Sequence, residues 1–400
     1  DISFFHIYEN DKPVHLDHYV KWSKGGVCDG ELIFVSGHPG STGRLQTMAQ
    51  LQYLKDVDYP SRLASYKRRI AMLQKFAGES VDNARIAQED IFSLQNSQKA
   101  FTGYLDGLRD LAAMSQKNMD EREQEKNYML KNPNGPNPWT EIASAMKVER
   151  DIYNELTYVE RQRGYYAQLA QNARTIVRAA EERPKPNGVR LREFRDSALP
   201  SLEQRLFSTA PVYKNFETRT LADSLAQMQE ALGADNAAVK ASLNGKSPEE
   251  AAKDAIGGTK LDDVAVRKQL YEGGKAAVDA STDPLIVLMR DVDAAARAVR
   301  KRYEDEVDAV ERRDGAQIAR ARFAQAGFSQ PPDATFTLRL SYGLVRGYME
   351  NGKKIPYFTT MSGAYERAAE HGNKFPYQLP ESWMKMKSKL TSSFAPPFLT

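Results

Sequence analysis

Apolar and polar positions alternate at the two ends of the chain and recur every three to four residues between them, which divides it into β, helical and β stretches. In the first stretch, Asp1 to about Gly37, the run Ile2-Ser3-Phe4-Phe5-His6-Ile7-Tyr8 is rich in β-branched and aromatic residues, and Asn10-Asp11-Lys12-Pro13 supplies turn chemistry. Glu31-Leu32-Ile33-Phe34-Val35-Ser36 reads as a second strand and runs into Gly37-His38-Pro39-Gly40-Ser41-Thr42-Gly43. Three glycines and a proline in seven residues cannot extend a strand, so a tight corner into helix is predicted there.

From about Tyr53 to Gln330 the spacing is helical. Pro60, followed by Ser61, is predicted to split the first helix, because proline lacks the donor and clashes with the preceding turn. One long helix is predicted from Ser80 to Lys131, stopped by Asn132-Pro133-Asn134-Gly135-Pro136-Asn137-Pro138, and another from Thr140 to Glu182, stopped by Arg183-Pro184-Lys185-Pro186-Asn187-Gly188. Long helices joined by short breaks must fold back as antiparallel neighbours. Ser247-Pro248-Glu249-Glu250 has a capping Ser, Pro in the first turn and Glu three residues after the cap; Asp283-Pro284 opens the last long helix, to about Phe328, in the same way. Beyond Pro331-Pro332, Thr335 to Tyr342 alternates with period two, and Asn351-Gly352 is a hairpin signal within a second β-stretch that runs to about Thr360.

Neither β-stretch can close a sheet of its own. The pattern therefore predicts a mainly α fold with β flanks, a large helical domain inserted between the halves of a β-scaffold. The boundaries are 1–43, 44–332 and 333–400. The remaining strands are expected outside these residues. With 56 basic and 53 acidic side chains interspersed along the helices, the net charge of +3 gives no case for nucleic acid or an anionic membrane as main partner. No apolar run reaches membrane-spanning length. Cys28 is the only cysteine, which excludes an internal disulfide and leaves the compartment open. The chain opens on a strand without an initiator Met or signal peptide, so its N terminus reads as a cut or processed end.

Candidate chemistry is sparse. His6, His15, His18 and His38 fall in the first β-stretch and His371 stands alone; His15 and His18 could share a metal but have no Cys or carboxylate pattern beside them, so they read as surface and strand histidines. No phosphate loop, nucleophile elbow or Cys-x-x-Cys occurs, and neither metal nor cofactor is expected. The Ser80–Lys131 helix is more particular. Ile91, Leu94, Phe101, Leu105, Leu108 and Ala112 form its core stripe, while Asn96, Ala100, Gly103 and Gly107 lie on a different face. Glycine inside a helix costs about 1 kcal/mol relative to Ala. Two of them call for a close approach, either by another helix or by something in a cleft that the bare wall lines, with Asn96 as its polar contact. Asp1, a carboxylate ahead of an apolar strand, reads by itself as a turn or cap residue.

Several of these segments, in this order, resemble bacterial dipeptidyl-peptidases seven and eleven. Asp1-Ile2-Ser3-Phe4-Phe5-His6-Ile7-Tyr8 is similar to the family's Asp-x-Ser-x-Phe-Arg-x-Tyr strand, and the turn from Val35 to Thr42 to its Gly-Tyr-Pro-Gly-Arg-Thr. Ser93-Leu94-Gln95-Asn96, Asp283-Pro284, Leu338-Arg339-Leu340-Ser341-Tyr342-Gly343 and Thr359-Thr360-Met361-Ser362-Gly363 follow in the family's order. The resemblance implies a serine exopeptidase that removes dipeptides from peptides with a free N terminus, periplasmic or secreted in bacteria, with a helical domain inserted between two chymotrypsin-like β-barrels, here both partial. It implies Asp1 as the triad carboxylate and Asn96 as the contact for the substrate's amine, with the helical domain capping the cleft. His6 and Ser41 stand where the family has Arg, no Gly-Gly-Asn-Ser-Gly nucleophile motif occurs, and the tail from Ser392 departs from the family's approach to it. The triad His and Ser are thus expected outside these residues, and the chain alone is expected not to hydrolyse peptides. Exposed helix faces allow a homodimer without requiring one. Physics without the resemblance would favour a helical interaction or scaffold module.

Overall fold

The structure, a computed structural model, describes residues 5–21, 23, 25–327, 332–350, 352–358, 361–374 and 377–389. It divides into two units, Asp1–Thr42 with Asp333–Thr400, and Gly43–Pro332.

In the first unit, β1 (Tyr8–Glu9) pairs with β2 (Lys12–Pro13) through Asn10 and Asp11, both at positive φ (52° and 61°), the region Asn and Asp enter most readily among non-glycine residues. Of the strand expected over Ile2–Tyr8, the described residues retain only its last position in β1. β3 (Leu32–Gly37) runs antiparallel to β4 (Arg339–Leu344), with Leu32 opposite Leu344 and Gly37 opposite Arg339. The segments read from sequence as belonging to different barrels thus hydrogen-bond to each other. The predicted strand at Thr335 starts only at Arg339, because the preceding residues form a corner. Phe336 sits at φ 63° and donates its N–H to the Pro39 carbonyl at 3.1 Å, while Thr42 Oγ1 donates to Asp333 and accepts from the Ala334 N–H. β5 (Tyr348–Glu350) and β6 (Lys353–Ile355) form the hairpin expected at Asn351-Gly352, with Gly352 at φ 78°. Two short helices follow, α14 (Met361–Glu370) and α15 (Glu381–Met386).

The second unit is helical: α1 (Met48–Tyr53), α2 (Tyr59–Ala77), α3 (Val81–Arg109), α4 (Leu111–Lys131), α5 (Pro138–Glu155), α6 (Gln168–Glu182), α7 (Leu199–Leu206), α8 (Lys214–Leu232), α9 (Ala237–Leu243), α10 (Pro248–Gly258), α11 (Val264–Ala280), α12 (Pro284–Tyr303) and α13 (Ala309–Ala326). The starts at Ser247 and Asp283 are as expected: Ser247 and Glu250 form a capping box, and Asp283 accepts from the Leu285 and Ile286 N–H groups. Three expectations of continuity change. Ser80–Lys131 is two helices, because Asp110 turns extended (ψ 106°) and its carboxylate accepts from the Ala112 and Ala113 N–H groups, capping a new one. Thr140–Glu182 is also two: Gln162 is left-handed (φ 60°), and the chain packs so tightly at Gly164 that a Cβ there would lie 2.7 Å from Met228 Sδ. Pro60, by contrast, does not break its helix. A π turn, Leu54–Asp58, carries α1 into α2, and its wider i→i+5 bond, from Tyr59 N–H to Leu54 O, makes room for the ring. Two further π turns, Leu156–Glu160 and Glu304–Asp308, end α5 and join α12 to α13.

The largest core gathers around α6, whose Leu169, Ala170, Ala173, Ile176 and Ala179 are fully buried, packed against α8, α11 and α12. Each large apolar side chain so buried contributes about 1.5–3 kcal/mol. A second core joins α1, α5 and α13, and a third is the seam of the α2–α3 hairpin, Ile70, Leu73 and Phe76 against Ala87 and Leu94.

Candidate functional site

The α2–α3 hairpin is built by its cap and its apolar seam. Ser80 accepts from the Asn83 N–H to start α3, and Leu94 and Leu105 are buried on the side facing α2. Phe101 joins them, its ring 5.2 Å from that of Tyr59 and 5.8 Å from that of Tyr66. Ile91 and Leu108 are half-buried, while Ala112, predicted to continue the stripe, is exposed because it lies beyond the break at Asp110.

With the seam fixed, the other face turns outward. Asn96 is exposed and, among the described residues, its side chain has no hydrogen-bond partner. A Cβ added at Gly103 or at Gly107 would meet nothing within 4 Å. Among the described residues, the glycines therefore serve no helix packing, and the small-residue face is a bare wall flanked by exposed Phe92 and Tyr104. The other sequence-predicted residue, Asp1, lies outside the described residues. His15 and His18 are exposed, His15 lies 3.9 Å from Asp17, and His371 stacks on Tyr377. No group of three His, Cys, Asp or Glu side chains among the described residues could hold a metal ion.

Sequence reasoning missed the charged groups beside this wall. A cleft of about 250 Å³ opens between α2, α3 and residues 157–166, with Ser93, Leu94 and Ser97 of α3 on one side. Asp58, buried at the end of the first π turn, accepts from Arg62 Nε at 2.6 Å and from the Tyr153 hydroxyl at 3.3 Å. Arg161 lies 3.5 Å from Glu149, whose carboxyl burial pushes above the ordinary range against the pull of Arg161. Arg163 donates to Ser61 Oγ, and Arg69 is stacked 3.3 Å over the Tyr166 ring. The available signal was the pair Arg62 and Arg69, seven residues apart on one face of α2.

A larger cavity, about 810 Å³, is lined by Glu160, Arg174 and Arg178, which neutralise one another: Glu160 accepts from Arg174 at 2.5 Å and from Arg178 at 2.7 Å, and Arg178 also reaches Asp293. Burial lowers the Arg174 guanidinium to about 10, with Arg178 adding to the effect. This network ties α6 to α12 and to the π turn that ends α5.

Comparison with known proteins places these features in a wider frame. The sequence profile of a family described as Peptidase S46 matches residues 1–396. An Asp/Glu-specific dipeptidyl-peptidase of Shewanella putrefaciens is 26% identical over 394 residues, covering 93% of this chain and 51% of the relative. A dipeptidyl-peptidase 7 of Porphyromonas endodontalis is 24% identical over 413 residues, covering 97% of this chain and 48% of the relative. The chain thus spans about half the length of these curated relatives. Among solved structures, Porphyromonas endodontalis DPP11 in complex with the dipeptide Arg-Asp matches with a TM-score of 0.69 at 16% identity, over 98% of this chain and 56% of that one. The same protein with Arg-Glu gives 0.67, over 98% and 57%. At that identity the likeness concerns the fold, which is mainly α with β flanks.

Proposed function

This chain belongs to the Peptidase S46 family, and we propose from that premise that it is part of a peptidase releasing dipeptides from the free N terminus of peptides. The names of its relatives support the reaction class. Within the chain, the supporting observation is the bare wall of α3, where Asn96 is exposed and unpartnered beside two glycines that face open space. An ammonium offers only donors, so a carboxamide oxygen free of other partners is a suitable acceptor for it, and small residues leave room for a peptide's end. Asp1 is the proposed triad carboxylate. It would hold the catalytic histidine in the tautomer that accepts the nucleophile's proton and stabilise the imidazolium that forms.

The histidine and the serine nucleophile belong, in this reading, to the longer protein. So does completion of the β3–β4 ribbon into a chymotrypsin-like barrel. Leu32, Phe34, Leu340, Tyr342 and Leu344 share one face of that ribbon and are all exposed, and a two-stranded ribbon is marginal in water without a third strand or a covering layer. The site of action is proposed to be periplasmic or extracellular, where peptides would be met.

The test uses the full-length protein with one peptide in free and N-acetylated form, and fragments read by mass spectrometry. Stepwise dipeptides from the free peptide alone are expected. Asn96→Ala should raise KM for the free peptide by about tenfold or more, the worth of a hydrogen bond to a charged group. Cleavage of neither peptide would reject the enzyme in favour of a helical binding module, and release of dipeptides undiminished by Asn96→Ala would reject Asn96 as the amine contact.

A further inference from the structure

We propose that the cleft between α2, α3 and residues 157–166 is a binding site for a small oxyanion, a carboxylate or a phosphate. Its lining carries four guanidinium groups, Arg62, Arg69, Arg161 and Arg163, and one carboxylate, Asp58. Asp58 is taken by Arg62, and Arg161 has Glu149. Among the described residues, Arg69 and Arg163 have no carboxylate within 4.0 Å, although both line the cleft. Arg69 is 6% exposed and its Nε has no hydrogen-bond partner. A buried cation with no carboxylate in direct contact is costly, and the cost falls when an anion binds it.

The geometry suits such a ligand. The guanidinium carbon of Arg69 lies 3.3 Å from the centre of the Tyr166 ring, which holds the group in place. A guanidinium so held presents paired N–H donors in the fork that matches two oxygens of a carboxylate or phosphate. Thr157, Ser93 and Ser97 add hydroxyls that can donate to the same ligand. A cleft of about 250 Å³ admits one small anion rather than a peptide. Two of the three π turns supply lining residues, Asp58 and Thr157, and such turns occur preferentially at functional sites. Asp90 on α3 is the carboxylate that interacts with Arg69 from outside the cleft. Burial pushes its carboxyl above the ordinary range against the pull of Arg69.

This site does not depend on the peptidase reading. It is tested by titrating the full-length protein with inorganic phosphate and with acetate by calorimetry and thermal melts, sodium chloride replacing each at equal ionic strength. Phosphate or acetate should bind and raise Tm where chloride does not. The tighter of the two tells whether a phosphate or a carboxylate is the better ligand, and either result supports the site. Arg163→Gln should weaken binding by about tenfold, the loss of one charge-assisted contact. Arg69→Gln removes a buried side chain and could unfold the hairpin, so Ser97→Asp is the second variant. It leaves every arginine in place, sets a fixed negative charge at the cleft and should abolish binding. Equal stabilisation by chloride, or unchanged affinity in both Arg163→Gln and Ser97→Asp, would overturn the proposal.

Discussion

Replacing Gly103 and Gly107 by alanine, singly and together, separates what the helix gains from what the wall is for. Both positions lie inside α3, and an added Cβ at either meets nothing within 4 Å. The methyl therefore brings no clash, and only backbone propensity remains: alanine is favoured over glycine in a helix interior by about 1 kcal/mol per site. Urea unfolding of the helical unit should show each single variant more stable than wild type by about that amount. The same methyls should harm peptide turnover. If the end of a peptide lies against the bare wall, each Cβ enters space the ligand uses, and overfilling a packed contact costs about 1–3 kcal/mol, which is about 5- to 150-fold in KM. The expected result is thus a more stable protein that works less well, read from unfolding curves and from steady-state kinetics of the full-length enzyme. Destabilisation would mean that something already covers this face. Gain in stability with unchanged kinetics would mean that the glycines have no part in binding, and the reasoning that links Asn96 to the substrate would fall with them.

Two further outcomes are expected. Burial alone would raise the Glu182 carboxyl, but Lys185 at 2.7 Å, the Leu191 N–H at 2.9 Å and Arg297 at 2.6 Å hold it down at about 2 against an ordinary 4.5. That depression contributes about 3 kcal/mol of stability, present above pH 4.5 and lost as pH falls towards 2. Glu182→Gln should therefore cost about 3 kcal/mol at pH 7 by chemical denaturation, with the gap to wild type narrowed by about half at about pH 3.2, midway between the two values; a gap that does not narrow would refute the assignment. In the full-length enzyme Asp1→Asn should lower kcat by about 10⁴ with little change in KM, since a triad carboxylate acts on the histidine rather than on substrate binding; a loss confined to KM would exclude that role.

What could be read from residues alone was whatever short-range chemistry decides. The capping box at Ser247, the cap at Asp283 and the hairpin at Asn351-Gly352 each depend on neighbours a few residues away, and each was legible. The same local rules misjudged continuity where a local signal had more than one outcome. Asp110 is unremarkable within an otherwise helical pattern until its carboxylate caps a second helix. Gln162 and Gly164 break a periodic pattern where the chain closes on Met228 of α8, which leaves room only for glycine at 164. Pro60 was expected to end a helix, yet a π turn absorbs its ring. The bare face of α3 was visible as a spacing of small residues, but whether it was packed or open was not. The sequence by itself determined the β–helix–β order and the apolar stripe of α3, which follow from periodicity and capping, and the family resemblance, which follows from short motifs in order. Tertiary structure alone decided that β3 pairs with β4 across some three hundred residues, that Gly103 and Gly107 face open space, and that arginines from α2 and from the break after α5 meet in one cleft. Such meetings depend on how cores close, and the energy of core closure is shared among side chains far apart in sequence.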